Sequence, residues 1–280
     1  MASVDSNPVT SAVTISIVTY NSRKVISDCL ARLPRGATVR VFDNASSDDT
    51  LAIIRRDHPE VIVTESAQNI GFGRGHNENL ARTTTPYSLV LNPDCFLEFG
   101  SLERLVEALE ADRSAAIAGP ELDDTAESNL TVSSEYRDML SGACLLLRCS
   151  AFEKIGYFDP NLFLFYEDTD LCAKAKLAGL KLLYVPQARA RHLIGESSPR
   201  STRIRFRRDF HMGWSETYYK CKYRAGRSTL ATQFKVVSRH SIKALTRLLR
   251  LSPKAIESLS RICGAVSYCL TGPSVNEGRS

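Results

Sequence analysis

The chain has 280 residues, 43% of them hydrophobic and 24% charged, the make-up of a soluble globular protein with a sizeable core. No run of about 18 apolar residues occurs, which excludes a bilayer span, and the N-terminal MASVDSNPVTSAV has neither the basic start nor the apolar centre of a signal peptide. The net charge of +5 is unevenly placed: between positions 203 and 261 fifteen Lys or Arg face three acidic residues, which gives +12 and leaves −7 for the remainder.

TISIVTY (14–20) is β-branched and apolar, a buried strand. SRKVISDCLARL (22–33) repeats its apolar residues with helical period and stops at Pro34 and Gly36. TVRVFD (38–43) reads as a second strand, SSDDTLAIIRR as a capped second helix, and VIVTES (61–66) as a third strand. YSLVLNPD (87–94) is a fourth strand, SLERLVEALEAD (101–112) an amphipathic helix, and AAIAGP (115–120) a further strand. Residues 121–140 are polar and turn-like. ACLLLRC (143–149), a short helix near 150–155, a helix from about 169 to Gly179 and a strand KLLYVP (181–186) complete the core. Strands alternating with helices of this length predict an α/β protein with a mostly parallel sheet covered on both faces.

Beyond about residue 200 the sequence predicts two or three basic amphipathic helices, broken near Gly226 and Pro253. Such a basic end suits an anionic partner: a membrane surface, a phosphate-bearing substrate or nucleic acid. The eight cysteines form no CxxC pair and several sit in apolar runs, so they read as buried reduced thiols of a cytosolic protein.

Ligands of an open parallel sheet bind beyond the carboxyl ends of its strands. Those ends read TYN (19–21), DNASSDD (43–49) and LNPD (91–94), and the carboxylates after FLFY (163–166) join them. One such Asp is commonly a helix cap; several successive ends carrying carboxylate or amide groups point to a ligand. NIGFGRGHNEN (69–79) spaces its glycines GxGxG after the third strand, which disfavours a dinucleotide site. These glycines would let the backbone approach a ligand, with Asn77 donating to phosphate or ribose. Asp94 suits a Mg²⁺ or Mn²⁺ ion. His192 ends another short strand, followed by Gly195, Ser197 and Ser198 as a phosphate loop with nearby Arg189, Arg191, Arg200 and Arg203 as countercharge. In FLFYEDTDLC (163–172), apolar residues run directly into Glu167, Asp168 and Asp170, a costly neighbourhood unless the charges are used.

In their order SIVTYN, VFDNASSDDT, NIGFGRGHNEN, LNPDC, SGACLLLR and FYEDTDLCAKAKLAG resemble the inverting glycosyltransferases of family 2, from about Thr14 to about Lys222. Through NIGFG, DTDLC and HLIGESS followed by YYKCKY, the sequence looks most like the bacterial rhamnosyltransferases of cell-surface polysaccharide synthesis. The resemblance implies a GT-A fold over residues 14–200, with a nucleotide-binding half (14–120), an acceptor half (121–200) and a basic helical region at 201–280.

By the same resemblance Thr19, Tyr20 and Asn21 lie along the nucleotide, and Asp43 accepts a hydrogen bond from the imide N–H of uracil or thymine. Asn69, Gly71, Phe72 and Asn77 line the nucleoside and diphosphate. Asp94 is the remaining carboxylate of a DxD motif whose first position is Asn92 here, and His192 is a second metal ligand. Asp168 is the implied base, Glu167 contacts acceptor hydroxyls or steadies Asp168, and Gly142 and Ala143 leave room for the acceptor sugar. Asp170 is read as a helix-starting residue, and FLFY as a buried strand or edge.

The implied reaction moves a sugar, best matched by L-rhamnose, from a dTDP- or UDP-sugar to a saccharide acceptor linked to polyprenyl diphosphate. It uses a divalent metal ion, Mg²⁺ or Mn²⁺, as cofactor. The protein would be cytoplasmic and peripheral on the inner membrane face through its basic helices. UDP-galactose or a UDP-N-acetylhexosamine stays open as donor. A sugar-nucleotide pyrophosphorylase is disfavoured because TYNSRK has no glycine. A non-catalytic nucleic-acid or lipid-binding protein is the reading from a different class, and the family resemblance favours no nucleic acid.

Overall fold

The computed structural model describes residues 8–122, 133–193, 202–224, 228–252 and 254–275. The expected phosphate loop at Gly195, Ser197 and Ser198, with Arg200, and the breaks at Gly226 and Pro253 lie outside the described residues.

The first half runs α1 (Pro8–Ser11), β1 (Val13–Thr19), α2 (Ile26–Ala31), β2 (Thr38–Asp43), α3 (Thr50–Asp57), β3 (Ile62–Glu65), α4 (Phe72–Leu80), β4 (Tyr87–Leu91), β5 (Cys95–Leu97), α5 (Ser101–Ala111) and β6 (Ala115–Glu121). There follow β7 (Glu135–Tyr136), β8 (Cys144–Arg148), α6 (Cys149–Phe152), α7 (Glu167–Leu177), β9 (Lys181–His192), α8 (Thr202–Lys222), α9 (Thr229–Leu249) and α10 (Ala255–Thr271). A 3₁₀ turn, Gly272–Val275, closes the described chain.

The sheet has nine strands in the order β3-β2-β1-β4-β8-β6-β9-β5, with β7 beside β9. β3, β2, β1 and β4 run parallel to one another, as do β6 and β9, whereas β8 is antiparallel to both β4 and β6, and β5 to β9. The first four strands therefore end together, and Thr19 stands opposite Asp43 in the register.

Both faces are apolar because both are covered. On β4, Leu89 and Leu91 join one core with α2 and α5, while Val90 joins the other with α7. On β8, Cys144 and Leu146 take the first side, Leu145 and Leu147 the second. This is the period-two alternation of a strand buried on both faces. In α5 the buried Leu102, Leu105, Val106 and Leu109 follow the helical spacing of one face. Trimming a residue such as Leu105 to alanine would cost about 2–5 kcal/mol.

Two strand assignments differ from the sequence expectation. The strand expected over 87–94 ends at Leu91, ahead of Pro93, which cannot continue the ladder, and a separate short strand, β5, follows it. The strand expected at 181–186 and the one expected to end at His192 are a single strand, β9. A register shift opposite Pro120 and Glu121 absorbs Pro186 and lets β9 pass from β6 to β5. FLFY is not a strand: residues 163–166 form bends, half-buried.

All eight cysteines are free thiols, five of them buried. In the helical region α10 packs chiefly on α8. A Cβ on Gly213 would stand 2.0 Å from the Arg261 carbonyl oxygen, and one on Gly264 1.9 Å from that of Phe210. The helices cross there at backbone contact, which only glycine permits. Trp214, Tyr218, Tyr268 and Cys221 fill the seam beside the crossing.

Candidate active site

At the joined ends of β1 and β2, Asp43 is buried and heavily bonded. Thr19 Oγ1 donates to its Oδ1 at 2.8 Å, Ser46 Oγ to the same oxygen at 2.6 Å, and the Ser46 N–H to Oδ2 at 2.9 Å. Of a carboxylate's roughly four acceptor positions one remains for a ligand. Thr19 is wholly buried, so its side chain positions Asp43. Asn21, at φ 55°, accepts the Ser47 N–H at 2.7 Å and donates its own N–H to Ser46 Oγ at 2.8 Å. Tyr20 is half-buried, its N–H directed to Ser22 Oγ at 3.3 Å.

The glycine-rich stretch serves protein packing. A Cβ on Gly71, at φ +97°, would stand 2.5 Å from the Phe163 carbonyl oxygen; one on Gly73 would meet Phe158 at 2.9 Å; one on Gly75 would meet Val18 and Phe42 at 3.0 Å. Asn69 turns the chain by accepting the Gly71 N–H at 3.0 Å. Asn77 does not present its amide to a nucleotide: its Nδ2 donates to Phe158 O at 2.9 Å and its Oδ1 accepts the Phe158 N–H at 3.0 Å. Phe72 likewise turns inward, edge-on to His76 and Phe158 at 4.5 and 6.1 Å. Asn44, which the sequence did not single out, holds the loop to the sheet through Ile70 N–H (2.7 Å) and Gly71 O (3.1 Å).

Asp94 and His192 meet because β5 pairs antiparallel with the end of β9, Cys95 opposite His192. The buried Asp94 Oδ1 lies 3.4 Å from His192 Nε2, and Asn92 Nδ2 is 3.5 Å from the same nitrogen. Asn92 Oδ1 is buried with no hydrogen-bond partner among the described residues. A carboxylate, an imidazole and an amide oxygen make a donor set suited to a divalent ion. No group of three His, Cys, Asp or Glu residues that could hold a metal ion occurs among the described residues. Arg189 faces Glu98 at 3.9 Å.

The carboxylates after FLFY stand at the start of α7, where the helix dipole favours negative charge. Asp168 accepts the Gly142 N–H on Oδ2 at 3.0 Å and the Thr169 N–H on Oδ1 at 2.7 Å. A Cβ on Gly142 would stand 2.9 Å from the Asp168 Cβ, so Gly142 makes room for Asp168 rather than for a sugar. Ala143 is a core residue whose carbonyl accepts the Asn92 N–H at 2.9 Å. Residues 142 and 143 thus tie the Asp168 carboxylate to the strand end that carries Asn92 and Asp94. Glu167 is 6% exposed, and its Oε2 has no hydrogen-bond partner among the described residues. Burial, with the neighbouring Asp168 charge, pushes it up to about 8.

The bends before these carboxylates are strained. Phe165 and Tyr166 have φ of 68° and 67°, the left-handed region, at about 1–2 kcal/mol each. Neighbours on two sides hold them. Phe72 N–H donates to Phe163 O at 3.0 Å. From α8, Ser215 Oγ donates to Leu164 O at 2.9 Å, His211 stacks on Phe163 at 4.4 Å and Tyr219 packs at a tilt against Tyr166 at 5.4 Å. Asp170 is more than a helix start: wholly buried, it receives Lys222 Nζ at 2.6 Å and Tyr223 Oη at 3.0 Å, and Lys222 also reaches Asp159 at 2.6 Å. The sequence reading missed Lys222 and Asp159; the alternation of aromatic and basic residues in YYKCKY was the available signal.

Comparison with known proteins shows the family and the fold of the chain. Residues 14–180 match the family described as Glycosyl transferase family 2. Among curated relatives, an N-acetylglucosaminyl-diphospho-decaprenol L-rhamnosyltransferase of Mycobacterium tuberculosis is 27% identical over 267 residues, covering 73% of this chain and 87% of that protein. Rhamnosyltransferase WbbL of Escherichia coli is 24% identical, covering 55% and 77%. Among solved structures, a mannosyltransferase from Pyrobaculum calidifontis in complex with GDP-Man and Mn²⁺ superposes with a TM-score of 0.61 at 19% identity, over 92% of this chain and 87% of that one. Staphylococcus aureus TarS in complex with UDP-GlcNAc gives 0.55 at 16%, over 81% and 70%. The chain belongs to glycosyl transferase family 2 and is a glycosyltransferase with the GT-A fold.

Proposed function

We propose that the protein transfers L-rhamnose, with inversion, from a nucleoside-diphosphate donor to a hydroxyl of a polyprenyl-diphosphate-linked saccharide in cell-surface polysaccharide synthesis. The carrying observation is the pair of hydrogen bonds from the 142–143 segment, which join the Asp168 carboxylate to the strand end bearing Asn92 and Asp94. A general base and a diphosphate-binding end must face one anomeric carbon from opposite sides, and this linkage spans both. The names of two curated relatives support rhamnose, and one of those names supports the lipid-linked acceptor.

In this reading Asp43 accepts from the imide N–H of the donor's uracil or thymine, held by Thr19 and Ser46, while Tyr20 and Asn21 flank the nucleotide. Asp94 and His192, with Asn92, would hold Mg²⁺ or Mn²⁺, which when bound neutralises charge on the departing diphosphate. Asp168 takes the proton as the acceptor oxygen forms its bond to C1. The bond from C1 to the diphosphate oxygen breaks in the same displacement, and the nucleoside diphosphate leaves with the electron pair. Asp168 Oδ1 accepts the N–H and the hydroxyl of Thr169 and Oδ2 the Gly142 N–H, which fixes the carboxylate and leaves a lone pair on Oδ2 for that proton. Glu167, neutral near pH 7, bonds an acceptor hydroxyl. Among the described residues no helix is long and apolar enough to cross a membrane; the protein acts from the inner membrane surface, on which its basic C-terminal helices lie.

The test is transfer from dTDP-L-rhamnose, UDP-galactose and UDP-N-acetylglucosamine to N-acetylglucosaminyl-diphospho-polyprenol in the presence of Mn²⁺. Rhamnosylated product is expected. Turnover of a UDP-sugar with none of dTDP-rhamnose would overturn the donor, and no transfer from any donor would overturn the acceptor.

A further inference from the structure

Helix α9 divides into three sectors. Its buried residues Val236, His240 and Ala244 recur at one spacing and face α8 and α10. At about 100° per residue, Leu230, Phe234, Ile242, Leu245, Leu248 and Leu249 fall within one arc of about 120° beside that face. All six are exposed, Leu230 at 77% and Phe234 at 75%. Lys235, Lys243 and Arg250 occupy the next arc, exposed and with no ion pair among the described residues. The turn into α10 continues both characters with Leu251, 93% exposed, Lys254 and Ile256.

A soluble surface seldom shows so many large apolar side chains side by side. The covering partner must be apolar over a broad arc and negative along one border. A helical protein partner would ask for a narrow seam, whereas a bilayer interface accepts a broad arc and places basic side chains at headgroup level. The charge complementarity decides for lipid.

We infer that the exposed arc of α9, with Leu251 and Ile256, lies in the interfacial layer of an anionic bilayer, with Lys235, Lys243, Arg250 and Lys254 on lipid headgroups. This rests on the membrane-surface reading above and assigns it a face. The docked face is tied to the catalytic half: Glu216 of α8 bonds His240 of α9 at 2.8 Å, and Lys222 of α8 holds Asp170 at the start of α7. Docking therefore sets the height and tilt of the Asp168 carboxylate above the lipid.

The experiment is flotation of the full chain with vesicles of phosphatidylcholine alone and with 30% phosphatidylglycerol, a composition chosen because polybasic interfacial binding needs anionic lipid. Binding only to the anionic vesicles is expected. Leu245→Glu with Leu249→Glu should reduce it at least tenfold, and Lys243→Glu with Arg250→Glu about tenfold with a weaker dependence on salt. Leu177→Glu, on the equally exposed α7 position, should leave it unchanged. Equal binding to both vesicles, or binding insensitive to the α9 pairs, overturns the inference. So does a lipid-free dimer that the leucine pair converts to monomer, since the face would then be a protein interface. Transfer to a short-chain, detergent-free acceptor should survive the α9 substitutions. Loss of flotation with that transfer intact bears on docking alone, and absence of transfer in the unaltered chain bears on the transferase reading alone.

Discussion

At the ends of β1 and β2 the polar groups are already committed: Asp43 accepts from Thr19 and twice from Ser46, and Asn21 and Asn44 are fixed by backbone groups. On the α7 side Glu167 keeps a buried oxygen without a partner among the described residues, and strained bends deliver it with Asp168. A bonded carboxylate is a template, its geometry set before anything binds. An unbonded buried one is held at a cost that a ligand or a proton must relieve. The difference suits recognition on the first side and reaction on the second.

The contrast can be broken at four places. Asp168→Asn should lower kcat about a thousandfold, within the range for a lost general base, with donor affinity by calorimetry unchanged; near-normal turnover would put the base elsewhere. Asp94→Ala should weaken Mn²⁺-dependent donor binding about tenfold to a hundredfold, the worth of one charged contact, and leave metal-free binding alone. Lys222→Met strands the buried Asp170 and should cost about 2–3 kcal/mol in urea unfolding, with Lys222→Arg recovering most of it. An unchanged midpoint would make the Lys222 bridge incidental.

The fourth place is Glu167, where the effect is read as a pH dependence. Its folded value of about 8 lies above the ordinary 4.5, so its stability is fully present below about 4.5 and is lost as pH rises through about 8. Glu167→Gln should remove that slope, at most about 1.4 kcal/mol per pH unit for one proton. A parallel pair of stability curves would mean that Glu167 is ionised throughout.

The legible parts of the molecule were those with local causes. Strand ends at Thr19, Asp43 and Asn92 follow from β-branched runs and their polar stops, and α5 from its four-residue apolar rhythm. Relations between distant segments were not legible. GxGxG suggested a ligand cradle, yet its glycines answer to Phe163, Phe158 and Val18. Asn77 had the chemistry to bind phosphate and spends it on the Phe158 backbone. Gly142 was read as space for a sugar, and its requirement comes from Asp168, 26 residues on. The role of α8 in holding FLFY was invisible because its inward residues, His211, Ser215 and Tyr219, look like any amphipathic helix until their partners are known.

β9 pairs with β6 from Lys181 to Val185, passes over Pro186 to Ala188, meets β6 again at Arg189 and is joined by β5 from Ala190. The residues between are a splice. Because side chains alternate in a strand, the number of residues in that splice has a parity, and His192 faces Asp94 for one parity only. Loss of a single residue there would leave the Lys181–Val185 ladder and its core in register while turning the imidazole to the opposite face. The fold would survive an error of count that the chemistry would not.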